Sequence, residues 1–280
     1  MGPSEKTVRS GVAPPAGVLA DHGLLDRIGA FVTSTYEGKV ELLIHPQCRL
    51  ADGHFAGSDE QPLAALVEYG NRDDIDAVWF LRGGYGSNRI AAEAVPQLGA
   101  TARRKKWLGY SDAGFLLSAL HRAGFANVAH GPMPVDNGRP VRGGEGGGRA
   151  LAWLVDGHPA SLESSERPET PKLAFNLTVL SQLLGTPLEP DFSGRVLMIE
   201  DVGDYLYRYD RFLFHITSNA NVRRCAGIRE GRLIADENPT AVFRTPEGGV
   251  VADWCRRSGI RYLGAADIGH DSDNKVVPFR

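Results

Sequence analysis

Short apolar runs alternate with amphipathic segments through the first half of the chain, and that alternation limits the fold more than any other feature. Residues 40–44, 75–81, 107–110 and 127–129 read as strands. Residues 62–69, 88–95 and 113–123 read as helices, the first opened by Ser58-Asp59-Glu60. Strands alternating with helices make βαβ units and a mostly parallel sheet. The expected fold class is therefore α/β, with an N-terminal Rossmann or flavodoxin-like domain. Ligands of such sheets sit at the carboxyl ends of the strands.

A chain of 280 residues is long enough for two domains. Residues 137–149 are the most glycine-dense stretch, which predicts a flexible glycine-rich linker over 137–154. The N-terminal domain then spans 1–136, and a smaller mixed α/β domain spans 155–280. In the latter, residues 173–184 read as a helix closed by Gly185-Thr186-Pro187, and residues 195–199 as a strand ending at Glu200-Asp201. A helix over 205–217 and strands over 232–235 and 261–265 follow.

The formal net charge of −3 argues against a nucleic-acid or anionic-membrane partner. No apolar run approaches the roughly 18 to 20 residues that span a bilayer. Residues 1–6 lack the charged start and apolar core of a signal peptide. Cys48, Cys225 and Cys255 have no paired or metal-ligand spacing, and His, Asp and Glu are scattered. These features lead us to expect a cytoplasmic protein without metal or cofactor.

Two turns carry the chemistry. In Leu108-Gly109-Tyr110-Ser111-Asp112-Ala113-Gly114 an apolar run ends in a serine just before a helix of small and apolar residues. A serine there presents its hydroxyl beside the free N–H groups of a helix start. This is the logic of a nucleophile elbow, although the flanks are not Gly-x-Ser-x-Gly. An ordinary N-cap serine is the competing reading. The second turn, Arg82-Gly83-Gly84-Tyr85-Gly86-Ser87, also follows a strand, and its glycines would bring backbone N–H groups close to an anion. A nucleophilic serine needs a base. Among eight histidines, His130 ends a strand near the same edge and His270 follows one. His130 reads first as a structural ring bonded to backbone rather than as the base, and His215 as a packing residue. Glu200 and Asp201 are carboxylates at a buried strand end, costly without a partner. They would orient the histidine or pair with Arg208 or Arg211.

Together these pieces resemble the serine LD-carboxypeptidases, a family that includes the microcin C immunity hydrolases. The resemblance extends from about Ser10 to Phe279. It rests on Ala56-Gly57-Ser58-Asp59-Glu60, Arg82-Gly83-Gly84-Tyr85-Gly86-Ser87, Gly109-Tyr110-Ser111-Asp112 and His130-Gly131-Pro132-Met133. It continues through Asn176-Leu177, Leu184-Gly185-Thr186-Pro187, Ile199-Glu200-Asp201-Val202, Tyr207-Arg208-Tyr209-Asp210-Arg211, and Gly269-His270 with Asn274 and Pro278. Val12-Ala13-Pro14-Pro15-Ala16 and Asp204 depart from the family's usual residues.

The resemblance implies a triad of Ser111, His270 and Glu200, with backbone N–H groups of Gly84 and Asp112 as the oxyanion hole. Arg82 and Tyr85 would contact substrate, Arg82 through the substrate carboxylate or, alternatively, by packing between domains. The implied reaction removes the terminal D-amino acid of a murein tetrapeptide through an acyl-enzyme. The alternative substrate is an aminoacyl-nucleotide, for which Trp153 would be the nearby base platform unless it is buried in its helix. The expected partners are thus a small peptide or aminoacyl-nucleotide, with a homodimer in keeping with the family.

Overall fold

A computed structural model describes residues 7–13, 17–137, 145–163, 169–239 and 242–280. Two sheets organise it. The first contains β1 (Val8–Ala13), β2 (Val40–Ile44), β3 (Ala77–Phe80), β4 (Lys106–Gly109), β5 (Val128–His130) and, from the end of the chain, β10 (Val277–Pro278). The second contains β6 (Lys172–Asn176), β7 (Val196–Tyr205), β8 (Gly227–Asp236) and β9 (Tyr262–Ala265). The first sheet is ordered β10-β5-β4-β3-β1-β2 and the second β6-β7-β8-β9. Every pairing is parallel except β10 on β5. The order of β1 to β5 is that of a flavodoxin-like sheet.

The helices are α1 (Gly23–Thr35), α2 (Glu60–Asn71), α3 (Ser87–Ala94), α4 (Ala100–Arg104), α5 (Gly114–Arg122), α6 (Pro134–Asn137), α7 (Glu145–Asp156), α8 (Leu177–Leu183), α9 (Leu206–Ser218) and α10 (Val250–Ser258). β3 shows why both faces of the first sheet are covered: all four of its residues are fully buried. Ala77 and Trp79 face a cluster with Val32 of α1 and Ala150, Leu151 and Trp153 of α7. Val78 and Phe80 face the opposite cluster, which includes Leu66, Ala91 and Leu116 from α2, α3 and α5. A continuous apolar run, without polar alternation, is what such a strand requires. The second cluster continues into Phe175, Leu177, Leu180 and Phe279, so the two sheets share a core.

Two expectations need correcting. Residues 145–156, placed within or beside the flexible linker, are α7. Its apolar face covers the first sheet, and Lys106 closes its end by donating from Nζ to the Trp153 and Leu154 carbonyls at 2.8 Å. Burial of that face outweighs the poor helix propensity of Gly146-Gly147-Gly148. Residues 138–144 of the expected linker lie outside the described residues. The single helix expected over 173–184 is instead β6 followed by α8. Asn176 marks the break: its Oδ1 accepts from the Val179 N–H at 3.1 Å and caps α8. No helix among the described residues is long and apolar enough to cross a membrane.

Candidate active site

β4 ends at Gly109, and a 3₁₀ turn, Ser111–Ala113, leads directly into α5. Ser111 has φ 57° and is the one non-glycine residue with positive φ among those described. Left-handed backbone costs an L-residue roughly 1–2 kcal/mol and persists only where its surroundings impose it. The imposed contacts are visible here. The buried Asp112 carboxylate accepts the Ser87 N–H at 2.9 Å, and the Ser87 hydroxyl donates to the Asp112 carbonyl. These bonds tie the serine turn to the start of α3, immediately after Gly83-Gly84-Tyr85-Gly86. Burial raises the Asp112 pKa, and its bonds from Ser87 and the Gly86 backbone oppose the rise. Gly83 lies against the nucleophile candidate: a Cβ there would come within 2.8 Å of Ser111 Oγ.

His270 arrives from the second sheet, on the loop after β9. Its Nδ1 lies 2.6 Å from Oε2 of Glu200, which is fully buried near the middle of β7. The β7–β8 register shifts between Ile199 and Asp201 and again between Val202 and Asp204, so the glutamate sits at the first of two irregularities in the pairing. Bulges of this kind re-aim side chains beside active sites. Gly231 on β8 lets the histidine loop settle onto the sheet, because a Cβ there would meet Ile268 at 2.6 Å. Arg232 then holds the loop by ion pairs to Asp267 (2.7 Å) and Asp271, and Lys275 adds one to Asp267 (2.8 Å). Arg149 of α7 donates to the Ser272 carbonyl.

Burial by itself disfavours the His270 imidazolium. The Glu200 charge and hydrogen bond outweigh it, with help from Asp136 and Asp201, and the His270 pKa is raised above its ordinary value. If Nδ1 carries the proton donated to Glu200, Nε2 remains as an acceptor, the state a general base requires. Asp201, the other carboxylate singled out, has a different position. It accepts from Asn176 Nδ2 at 2.7 Å and from the Thr178 N–H and hydroxyl at 2.9 and 2.8 Å, and so anchors the start of α8.

Ser111, His270, Arg82 and Gly84 line one cavity of about 150 Å³. Asp112 backs its serine side and Glu200 its histidine side. Tyr85 is not in the lining: it is 43% exposed and packs 5.6 Å from the Phe55 ring. The pairing considered between Glu200 and Arg208 does not form, since Arg208 bonds Asp204 at 2.7 Å. His215 is exposed on α9 rather than packed. His130 is completely buried, and burial with the nearby His270 charge pushes its pKa down to about 3. It is a neutral ring inside the structure.

Sequence reasoning missed Tyr110 and Asp136. The Tyr110 ring sits between His130 (5.5 Å) and His270 (4.7 Å), and its hydroxyl donates to Asp136 Oδ1 at 3.0 Å. The second oxygen of Asp136 accepts the Met133 N–H at 2.8 Å. The one available signal was the position of Asp136 just beyond His130-Gly131-Pro132-Met133, at the edge of the glycine-rich stretch.

Two family profiles settle the relationship: the LD-carboxypeptidase N-terminal domain matches residues 11–131, and the LD-carboxypeptidase C-terminal domain matches residues 172–280. The chain belongs to the LD-carboxypeptidase family. It is accordingly a hydrolase of the peptidase class. A Bacillus subtilis relative named "Probable murein peptide carboxypeptidase" is 30% identical over 242 residues, which cover 81% of this chain and 74% of the relative. Among solved structures, muramoyltetrapeptide carboxypeptidase from Oxalobacter formigenes superposes with TM-score 0.78 at 22% identity, covering 96% of this chain and 92% of its own. The microcin C7 self immunity protein MccF, in complex with aspartyl sulfamoyl adenosine, superposes with the same TM-score at 18% identity, covering 99% and 92%. At these identities the two solved structures establish a shared LD-carboxypeptidase fold.

Proposed function

We propose that this LD-carboxypeptidase is a serine hydrolase that removes the terminal D-amino acid of a murein tetrapeptide. Ser111 Oγ attacks the carbonyl carbon of the L,D amide while His270 Nε2 takes its proton, and Glu200 fixes the ring and supports its charge. The N–H groups of Gly84 and Asp112 receive the oxyanion. The C–N bond then breaks, and the leaving amine takes the proton from His270. Water, activated by the same ring, hydrolyses the acyl-enzyme and restores Ser111.

One observation carries this reading: a serine in left-handed backbone and a histidine bonded to a buried glutamate line the same cavity. The cavity's size agrees with a small leaving residue, being below the ~300–1,000 Å³ typical of drug-sized ligands. The aminoacyl-nucleotide reading loses its platform, because Trp153 is 7% exposed on α7 and packed under the first sheet. The test is D-alanine release from a murein tetrapeptide by the wild-type chain and by Ser111→Ala. We expect release by the first and none by the second. A folded wild-type chain that releases nothing removes this substrate, and an active Ser111→Ala removes the nucleophile.

A further inference from the structure

Both glycines at the proposed oxyanion hole are forced, and that creates a problem the chain has to solve. Gly83 admits no Cβ because Ser111 Oγ would stand 2.8 Å from it, and Gly84 has φ 112°, a backbone that L side chains rarely adopt. A peptide between two glycines is the least restrained in any chain, since neither flank has a side chain to bias its rotation. Rotated by half a turn, the Gly83–Gly84 peptide would aim a carbonyl oxygen where the Gly84 N–H is needed.

Arg82 holds this peptide. Its Nε donates to the Gly83 carbonyl at 3.2 Å, and its Nη1 donates to the Val18 carbonyl. The Gly83 carbonyl is thereby turned toward Gly17, where an added Cβ would meet that oxygen at 3.0 Å and Arg82 Nε at 3.5 Å. None of the described peptide bonds is cis. In a trans peptide the N–H points opposite to the C=O, so a carbonyl fixed on the Gly17 side leaves the Gly84 N–H facing the other way. Gly84 is also part of the cavity wall shared by Ser111 and His270.

We propose that Arg82 is the positioning residue of the oxyanion hole, locking the Gly83–Gly84 peptide so that the Gly84 N–H faces the reacting carbonyl. The planar guanidinium suits the task, because two of its fixed N–H vectors reach two backbone carbonyls on different segments at once. The proposal rests on Ser111 as the nucleophile. It also separates two roles for Arg82, since a residue that gripped the substrate carboxylate would act on KM rather than on the oxyanion.

The test uses an uncharged alkyl fluorophosphonate, which has no carboxylate to grip. Its reaction forms the Ser111 Oγ–P bond and expels fluoride, with the serine proton taken by His270, and it places a phosphoryl oxygen in the oxyanion hole. We expect Arg82→Ala and Arg82→Lys to slow this modification by roughly 10- to 100-fold, within the loss caused by removing one oxyanion donor. In peptide hydrolysis kcat should fall with KM unchanged, and added guanidinium should restore part of the rate to Arg82→Ala. Fluorophosphonate modification of both variants at the wild-type rate, with KM raised instead, would overturn the proposal in favour of carboxylate binding. Should Arg82→Ala fail to fold, Arg82→Lys alone gives the same two readings. A folded wild-type chain that is itself unreactive would overturn the nucleophile assignment, and this proposal with it.

Discussion

Glu200 sets the charge state of His270 through one buried hydrogen bond, and the consequence has a definite sign. The His270 pKa is raised, so the neutral ring a general base needs becomes available only above the ordinary histidine value of about 6.5. We expect the acid limb of kcat/KM against pH to lie above that value. Glu200→Gln removes the charge, so the limb should move to lower pH while kcat falls on the order of 10³- to 10⁴-fold. A limb that stays in place would separate Glu200 from the titrating group. The pair also stabilises the fold: its contribution is complete below about pH 6.5 and is lost as pH rises through the raised value. His130 has the opposite sign. Its folded pKa is about 3, so the unfolded chain binds an extra proton between there and about 6.5. Stability should fall as pH drops through that window. Melting temperature against pH tests this, with a flatter acid slope expected for His130→Phe.

At the scale of elements, α7 shows how burial overrides local preference. Three consecutive glycines suggest a loop, yet Ala150, Leu151, Trp153 and Leu154 recur on one face and cover Trp79 and Leu108. Trp153 also lies under Lys106, whose Nζ is 5.4 Å from the ring centroid. We expect Trp153→Ala to cost about 3–5 kcal/mol in denaturant unfolding, with KM for the peptide unchanged at temperatures where the variant is folded. A raised KM with unaltered stability would return Trp153 to substrate binding. The β6–α8 segment reads as a single helix for a related reason. Leu173-Ala174-Phe175 is apolar at every position, so periodicity could not separate a strand buried on both faces from a helix. The capping bond of Asn176 was the local clue.

Over the whole molecule, the end of the chain joins the two sheets. β10 pairs Val277 with His130 and Pro278 with Ala129, and the Phe279 ring lies 5.3 Å from Phe175. Because one cluster runs from Leu66 to Ile228, both sheets should unfold in a single transition. We expect Phe279→Ala to lower stability by about 3–5 kcal/mol while keeping one transition. Two separate calorimetric transitions in the wild-type chain would contradict the shared core.

The sequence by itself determined the parallel sheet and the two turns at its carboxyl edge. Both follow from local rules: apolar runs that must be buried, and glycines where backbone approaches closely. It also supplied Ser111, Glu200 and His270 in the order of a known family. What it could not supply was their meeting. Ser111 and His270 are 159 residues apart in the chain (270 − 111), and no local signal measures such a separation. Tertiary structure decided that Glu200 meets His270 while Asp201 anchors a helix. Adjacent residues on a strand point to opposite faces, and only the packed neighbours say which face holds the histidine. It also decided the positive φ of Ser111 and the hold of Arg82 on Gly83, since strain and close approach exist only where distant segments press together.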